Sequence, residues 1–193
     1  MRLNFWEEKK LNYNNMGVKI IYFVHGTTKD NLTGKSTGWE HGELSELGIQ
    51  QAKDLSNQIE DNSFEVMFSS DLKRAVDSAD LGFKNNHQII QDERLRECNY
   101  GDLNQADENL VNYIEHIDIP FSNGESLKDV EKRIRDFLNY LKKEYSGKYI
   151  AIMAHKAPQL ALEVILNDKT WEQAIAEDWR KDKSWQPGWV YNV

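Results

Sequence analysis

The chain has 193 residues, with 32 acidic against 24 basic side chains and a net charge of −8. That balance excludes nucleic acid as a partner, because a polyanion needs a basic stripe. It leaves room for a small anionic ligand, which answers to local charge. The hydrophobic fraction of 39% and charged fraction of 29% are those of a soluble globular protein, and no apolar run approaches the ~20 residues of a membrane span.

Residues 1–16 mix Trp6, Glu7, Glu8, Lys9 and Lys10 with asparagines and lack the apolar region of a signal peptide. They read as an accessory extension before a single domain over 17–193. One cysteine, Cys98, cannot form an internal disulfide, which favours a reducing compartment, and the expected location is cytoplasmic.

From residue 17 onward short apolar runs alternate with amphipathic stretches. Lys19–Val24 is nearly continuous in apolar residues, as in a strand buried on both faces. Ser45–Ile59 places Leu47, Ala52, Leu55 and Ile59 on one helical face, with Ser45 as N-cap. Phe64–Phe68 predicts a second buried strand, and Asp71–Phe83 a helix with Leu72, Ala75, Val76 and Ala79 inward. His87–Ile90 predicts a short third strand. Between Asp92 and Gly124 the pattern is irregular, with one helix expected around Asp107–His116. Ser126–Tyr145 is the strongest helical stripe and opens on a capping-box variant, Ser126-x-x-Asp129. Tyr149–Met153 is another buried strand, Pro158–Leu166 opens a helix with Pro158 near N1, and Gly188–Val193 returns as an edge strand. Alternation of this kind predicts an α/β fold, a three-layer sandwich with a mainly parallel sheet flanked by helices.

Three expected strands end in chemistry. The first runs into His25-Gly26, the second into Ser69-Ser70-Asp71-Leu72-Lys73-Arg74, and Tyr149–Met153 into Ala154-His155-Lys156. Carboxyl ends of parallel strands share one edge of a sheet, where ligands bind. His25, Arg74 and His155 therefore converge on an anion site that helix-start N–H groups would complete. Thr33-Gly34-Lys35-Ser36 imitates the end of a P-loop, but the required glycine is Lys29 and no helix follows directly. No His, Cys and Asp spacing suggests a metal. His41, His87 and His116 lie in polar stretches and read as exposed, without a role. Trp171, Trp179, Trp185 and Trp189 in the tail read as core packing, with an aromatic cap over the pocket as the alternative.

Val24-His25-Gly26-Thr27-Thr28, then Asn31 and Thr37-Gly38-Trp39, resembles the signature of the histidine phosphatase superfamily, the phosphoglycerate mutase-like family. Leu44-Ser45-Glu46-Leu47-Gly48, Ser69-Ser70-Asp71-Leu72-Lys73-Arg74-Ala75, Leu95-Arg96-Glu97-Cys98-Asn99-Tyr100-Gly101 and Gly124-Glu125-Ser126 are similar to its later motifs and occur in the family's order. The resemblance implies a phosphoglycerate mutase-like fold and a cofactor-free phosphomonoester phosphatase acting on a small phosphorylated substrate. It makes His25 the nucleophile of a phosphohistidine intermediate. Arg74 and His155 become the groups that hold and neutralise the transferred phosphoryl. Glu97 becomes the acid–base, a task for a carboxyl that keeps its proton beside a phosphate dianion. Thr28, Asn31, Thr37 and Gly38 would line the pocket.

The chain departs from the family at Val24, where the family carries an arginine that grips the phosphate. Losing a charged hydrogen bond costs roughly 1.5–3 kcal/mol, which is about 10- to 100-fold in rate if the contact serves the transition state. This keeps open a second reading, a catalytically weakened or inactive member that binds a phosphorylated ligand or protein. Lys156 stands where the family usually has a small residue; its ammonium either compensates as a point charge or is a solvated helix-start residue. Mutase activity is the less favoured reading, because Asp102–Pro120 is short and acidic where that branch carries basic residues.

Overall fold

The computed structural model describes residues 17–59, 63–84, 87–181 and 188–193, so the 1–16 extension and Trp185 lie outside the described residues. Five strands form the main sheet: β1 (Lys19–Val24), β3 (Val66–Ser69), β4 (Ile89–Gln91), β6 (Tyr149–Ala154) and β7 (Trp189–Asn192), in the order β4-β3-β6-β1-β7. All neighbours are parallel except β7, which runs antiparallel to β1. A two-stranded ribbon, β2 (Lys35–Ser36) with β5 (Ala106–Asp107), stands apart.

Successive residues of β1 feed two different cores. Ile20 and Tyr22 join one, with Phe68, Ile150 and Ile152 from the neighbouring strands. Ile21 and Phe23 join the other, with Met67, Ala151 and Met153. Helices cover each face: α2 (Glu46–Gln58) and α3 (Lys73–Phe83) supply Leu55, Ala75, Ala79 and Phe83 to the second core. On the opposite face α4 (Leu127–Glu144), α5 (Lys156–Leu166) and α6 (Trp171–Ala176) supply Leu127, Ile134, Phe137, Leu160, Ala161 and Trp171. The result is the three-layer α/β sandwich that the alternation of elements predicts, and a one-turn helix α1 (Lys29–Leu32) precedes the ribbon.

α4 begins where the capping box predicts. The Ser126 hydroxyl accepts from the Asp129 N–H (3.1 Å) and the Asp129 carboxylate accepts from the Ser126 N–H (2.9 Å). Its inward stripe includes Glu131, whose carboxylate accepts from the Trp171 indole at 2.9 Å. No described helix is long and apolar enough to cross a membrane.

Four expectations need correction. No α-helix forms over Asp107–His116; there is a single 3₁₀ turn at Glu108–Leu110. The Asp107 carboxylate takes the Asn109 N–H (2.9 Å) and Asn112 Oδ1 takes the Ile114 N–H (3.1 Å), so side chains compete with the helical ladder. Leu47 is 53% exposed, because α2 buries Gly48, Ala52 and Leu55 instead, one position round the helix. α5 starts at Lys156, two residues early, and Pro158 at its third position costs no hydrogen bond, since first-turn N–H groups lack intrahelical partners. His87 and His116 are half-buried, stacked on Phe64 (4.0 Å between centroids) and Phe121 (3.7 Å).

Candidate active site

Register brings the strand ends level. Val24 lies opposite Ala154, and Ser69 opposite Met153. The His25 N–H donates to the Ala154 carbonyl (3.1 Å) and the Ser70 N–H to Met153 (3.0 Å). His25 and His155 thus leave adjacent strands side by side, with ring centroids 5.1 Å apart.

The hydrogen bonds of His25 fix its tautomer. Nδ1 lies 2.8 Å from the Gly26 carbonyl and can only donate there, so it carries the proton. Nε2 accepts from Arg74 Nε at 3.3 Å and therefore presents its lone pair. Burial, then the positive charge of Arg74, lowers the pKa of His25 to about 3. It is a neutral base whose one ring lone pair, on Nε2, is held by Arg74 at the cavity wall.

His155 is fully buried, and neither ring nitrogen has a hydrogen-bond partner. Burial first, then Arg74 and His25, holds its pKa well below the usual histidine range. The buried Tyr22 hydroxyl anchors its backbone, donating to the His155 carbonyl (2.7 Å) and accepting from the His155 N–H (3.1 Å). Among the described residues neither buried ring nitrogen is satisfied, an arrangement that is costly in a folded protein.

Arg74 is 2% exposed and makes no ion pair with Asp71 or Asp77, which pair with Arg96 and Lys73. Besides His25 it donates to the carbonyls of Gly38 (2.7 Å) and Glu40 (3.1 Å). Three of five N–H groups are engaged, leaving one on each terminal nitrogen. Gly38 can offer that carbonyl because it adopts φ +57° against Asn104, where a Cβ would meet Oδ1 at 1.8 Å.

Glu97 belongs to no ion pair with its arginine neighbours. Arg94 pairs with Asp92, Arg96 with Asp71, and Arg133 reaches the Glu97 carbonyl (2.9 Å) rather than the carboxylate. Oε1 accepts from Cys98 N–H (2.8 Å) and Ala157 N–H (3.0 Å); Oε2 accepts from Lys156 N–H (3.2 Å) and retains a lone pair. The carboxyl therefore sits on the first turn of α5, immediately after His155. The Trp39 indole and Arg133 both hold its backbone, Trp39 Nε1 donating to the Glu97 carbonyl at 2.7 Å.

His25, Arg74 and Glu97 face a cavity of about 1170 Å³ whose wall also includes Val24, Lys156 and Arg180, whereas the fully buried His155 is not among its lining residues. Asn31, Thr37 and Gly38 also line it. Thr28 does not: it is fully buried, and its hydroxyl caps α1 by accepting from the Asn31 N–H (3.0 Å) while Asn31 Oδ1 takes the Thr28 N–H. Lys156 Nζ is bound to the buried Asp178 (2.9 Å) and lies 4.6 Å from the Tyr113 ring.

The sequence reading missed Thr27, Tyr113 and Arg180 on the wall, and Arg133 behind it. Trp171 packs in the core as expected, whereas Trp179 faces the cavity against Trp189 (5.7 Å). The polar residues interleaved with the tail's tryptophans were the available signal. Among the described residues no group of three or more His, Cys, Asp and Glu is disposed to hold a metal ion.

Beside the loop after His25, two backbones touch. A Cβ on Gly26 would lie 2.4 Å from the Gly48 carbonyl oxygen, and one on Gly48 would lie 2.0 Å from that of Thr27. The Gly26 N–H donates to Ser78 (3.0 Å), tying the same loop to α3.

Residues 21–174 match the family model of the histidine phosphatase superfamily (branch 1). The chain belongs to that superfamily. Among histidine phosphatase relatives, it is 30% identical over 182 residues to the 2,3-bisphosphoglycerate-dependent phosphoglycerate mutase of Nitrobacter winogradskyi, covering 84% of this chain and 88% of the relative. It is 27% identical over 156 residues to phosphoserine phosphatase 1 of Hydrogenobacter thermophilus, covering 75% and 74%. A phosphoserine phosphatase mutant from Entamoeba histolytica, solved in complex with phosphoserine, superposes with a TM-score of 0.73 at 26% identity, covering 82% of this chain and 84% of that one. Histidine phosphatase family members are phosphatases or mutases acting on small phosphorylated substrates.

Proposed function

We propose that the protein is a phosphomonoester phosphatase working through a phosphohistidine on His25. The observation that carries the reading is the tautomer: a neutral imidazole held by Nδ1–H, with its Nε2 lone pair beside Arg74 and facing the cavity. Nε2 attacks phosphorus and the bond to the leaving oxygen breaks. Glu97 gives that oxygen a proton. Arg74 and His155 donate to the non-bridging oxygens, whose charge the transition state spreads. Glu97 then takes a proton from water, the oxygen attacks the phosphohistidine, and His25 leaves as neutral imidazole with inorganic phosphate as product. Thr37, Gly38 and Asn31 shape the approach, and no step calls for a metal or an organic cofactor.

Hydrolysis is the reading we favour over mutase transfer because the 108–113 side of the wall carries Glu108, Asn109, Val111 and Tyr113 without a cation, the cavity's cations besides Arg74 being Lys35, Lys156 and Arg180. Val24 on the same wall favours a second reading, in which the weakened site binds a phosphorylated ligand without turnover.

Phosphate release from an aryl phosphate and a panel of phosphometabolites, with chelator present, separates these readings. Turnover that vanishes in His25→Ala is the expected result. Folded wild-type protein that binds orthovanadate yet turns over nothing supports the binding module, and absence of both refutes a phosphate site.

A further inference from the structure

Asp178 is buried, its side chain 2% exposed, yet it carries two cations. Lys156 Nζ and Arg180 Nη1 each lie 2.9 Å from it, on different oxygens. The cations are 30% and 28% exposed and both line the cavity. Both cations held by this one carboxylate lie on the cavity wall, which Glu97 and Glu108 also line. Burial pushes the Asp178 pKa up, but Lys156 and Arg180 more than reverse this and hold it below the usual range, so the carboxylate stays ionised as their anchor.

The position of the cluster is set by the edge of the sheet. Trp189 pairs with Tyr22 across β7 and β1, and Trp179 packs on Trp189. The Asp178–Arg180 segment therefore lies by the end of β1, where Val24 meets the cavity. Arg180 Cζ stacks 4.5 Å from the Trp179 ring, and among the described residues Asp178 is the one acceptor its guanidinium engages. The Arg180 guanidinium lines the cavity and its side chain is 28% exposed. Its charge also reaches both imidazoles, contributing to their low pKa values.

We propose that Arg180 is a phosphate ligand, supplying from the C-terminal tail the guanidinium that Val24 does not provide, with Asp178 as its holder and Lys156 as the adjoining point charge. The proposal rests on the phosphatase reading above. A guanidinium on a buried carboxylate is preorganised, so little ordering opposes binding.

The test is competitive inhibition by inorganic phosphate and orthovanadate in wild type, Arg180→Ala, Arg180→Lys and Val24→Arg/Arg180→Ala, with circular dichroism confirming the fold. Arg180→Ala is expected to weaken both inhibitors about 10- to 100-fold, Arg180→Lys less, and the double variant to regain affinity. Wild-type turnover with unchanged phosphate inhibition in Arg180→Ala overturns the assignment and leaves the phosphatase standing. A loss confined to substrates with an added carboxylate also overturns it, making Arg180 a specificity residue for the leaving group. Wild-type protein without turnover or binding of either inhibitor removes the phosphatase reading and this one together.

Discussion

Thr28 and Arg74 show how a residue type in a motif can mean two different things. Both belong to segments that resemble the family's phosphate-binding loops, yet Arg74 turns its guanidinium to His25 while Thr28 spends its hydroxyl on the first turn of α1. Thr28→Ala should accordingly cost about 1 kcal/mol of stability, as loss of an N-cap does, and leave KM for a small phosphomonoester unchanged; paired urea unfolding and steady-state kinetics check both halves. The four residues assigned to chemistry were legible because each ends a strand or sits in a motif. What fixes them was not. The partners of His25 Nδ1, of Arg74 and of the Glu97 carboxylate are mostly backbone carbonyls and N–H groups, which every residue carries and no sequence pattern marks.

α4 packs against the sheet, but it also governs the acid loop. From its second turn Arg133 reaches out to the carbonyls of Arg94 (2.6 Å) and Glu97 (2.9 Å) and to the Glu125 carboxylate (3.0 Å). Arg133→Met keeps the aliphatic stem and removes all three. It should destabilise the protein by about 2–3 kcal/mol, through unpaired polar groups, and lower kcat about tenfold with a much smaller change in KM. A raised KM with kcat unchanged would mean that Arg133 serves binding instead. The helix itself was plain from its apolar stripe and Ser126 cap. The 107–116 segment was not: Leu110 and Ile114 are 60% and 49% exposed, while Tyr113 is buried with its hydroxyl 2.6 Å from that of Tyr100. A polar pairing between two tyrosines across the loop has no period to detect.

The whole molecule holds two neutral histidines in a desolvated site, and this has a definite sign in stability. Above pH 6.5 both are neutral folded or unfolded. As pH falls below 6.5 the unfolded chain takes up protons that the folded chain refuses, until His25 itself protonates near 3. Through His25, stability should fall by about 1–2 kcal/mol between pH 7 and 5, and His155 acts in the same direction. Urea midpoints across that range should drop less steeply in His25→Ala; an identical slope would show that the imidazole is solvated. At this scale the sheet, its layers and the converging strand ends followed from the alternation of apolar runs. The tail's part in the site did not, since 164 residues lie between the end of β1 at Val24 and the start of β7 at Trp189, and its polar residues acquire meaning only once that strand closes the edge.

Redesign of this pocket for a bulkier phosphomonoester would meet an uneven landscape. Thr27, Leu47 and Gln51 face the cavity, so their side chains can be exchanged to reshape it. Gly26 and Gly48, between them, cannot follow, because each stands where the other segment's main chain already is. Neither can any change at one be relieved by a change at the other, since both partners are already as small as residues come. The main chain of the loop after His25 is thus closed to gradual exploration, and new specificities on this scaffold have to be drawn from the side chains around the cavity.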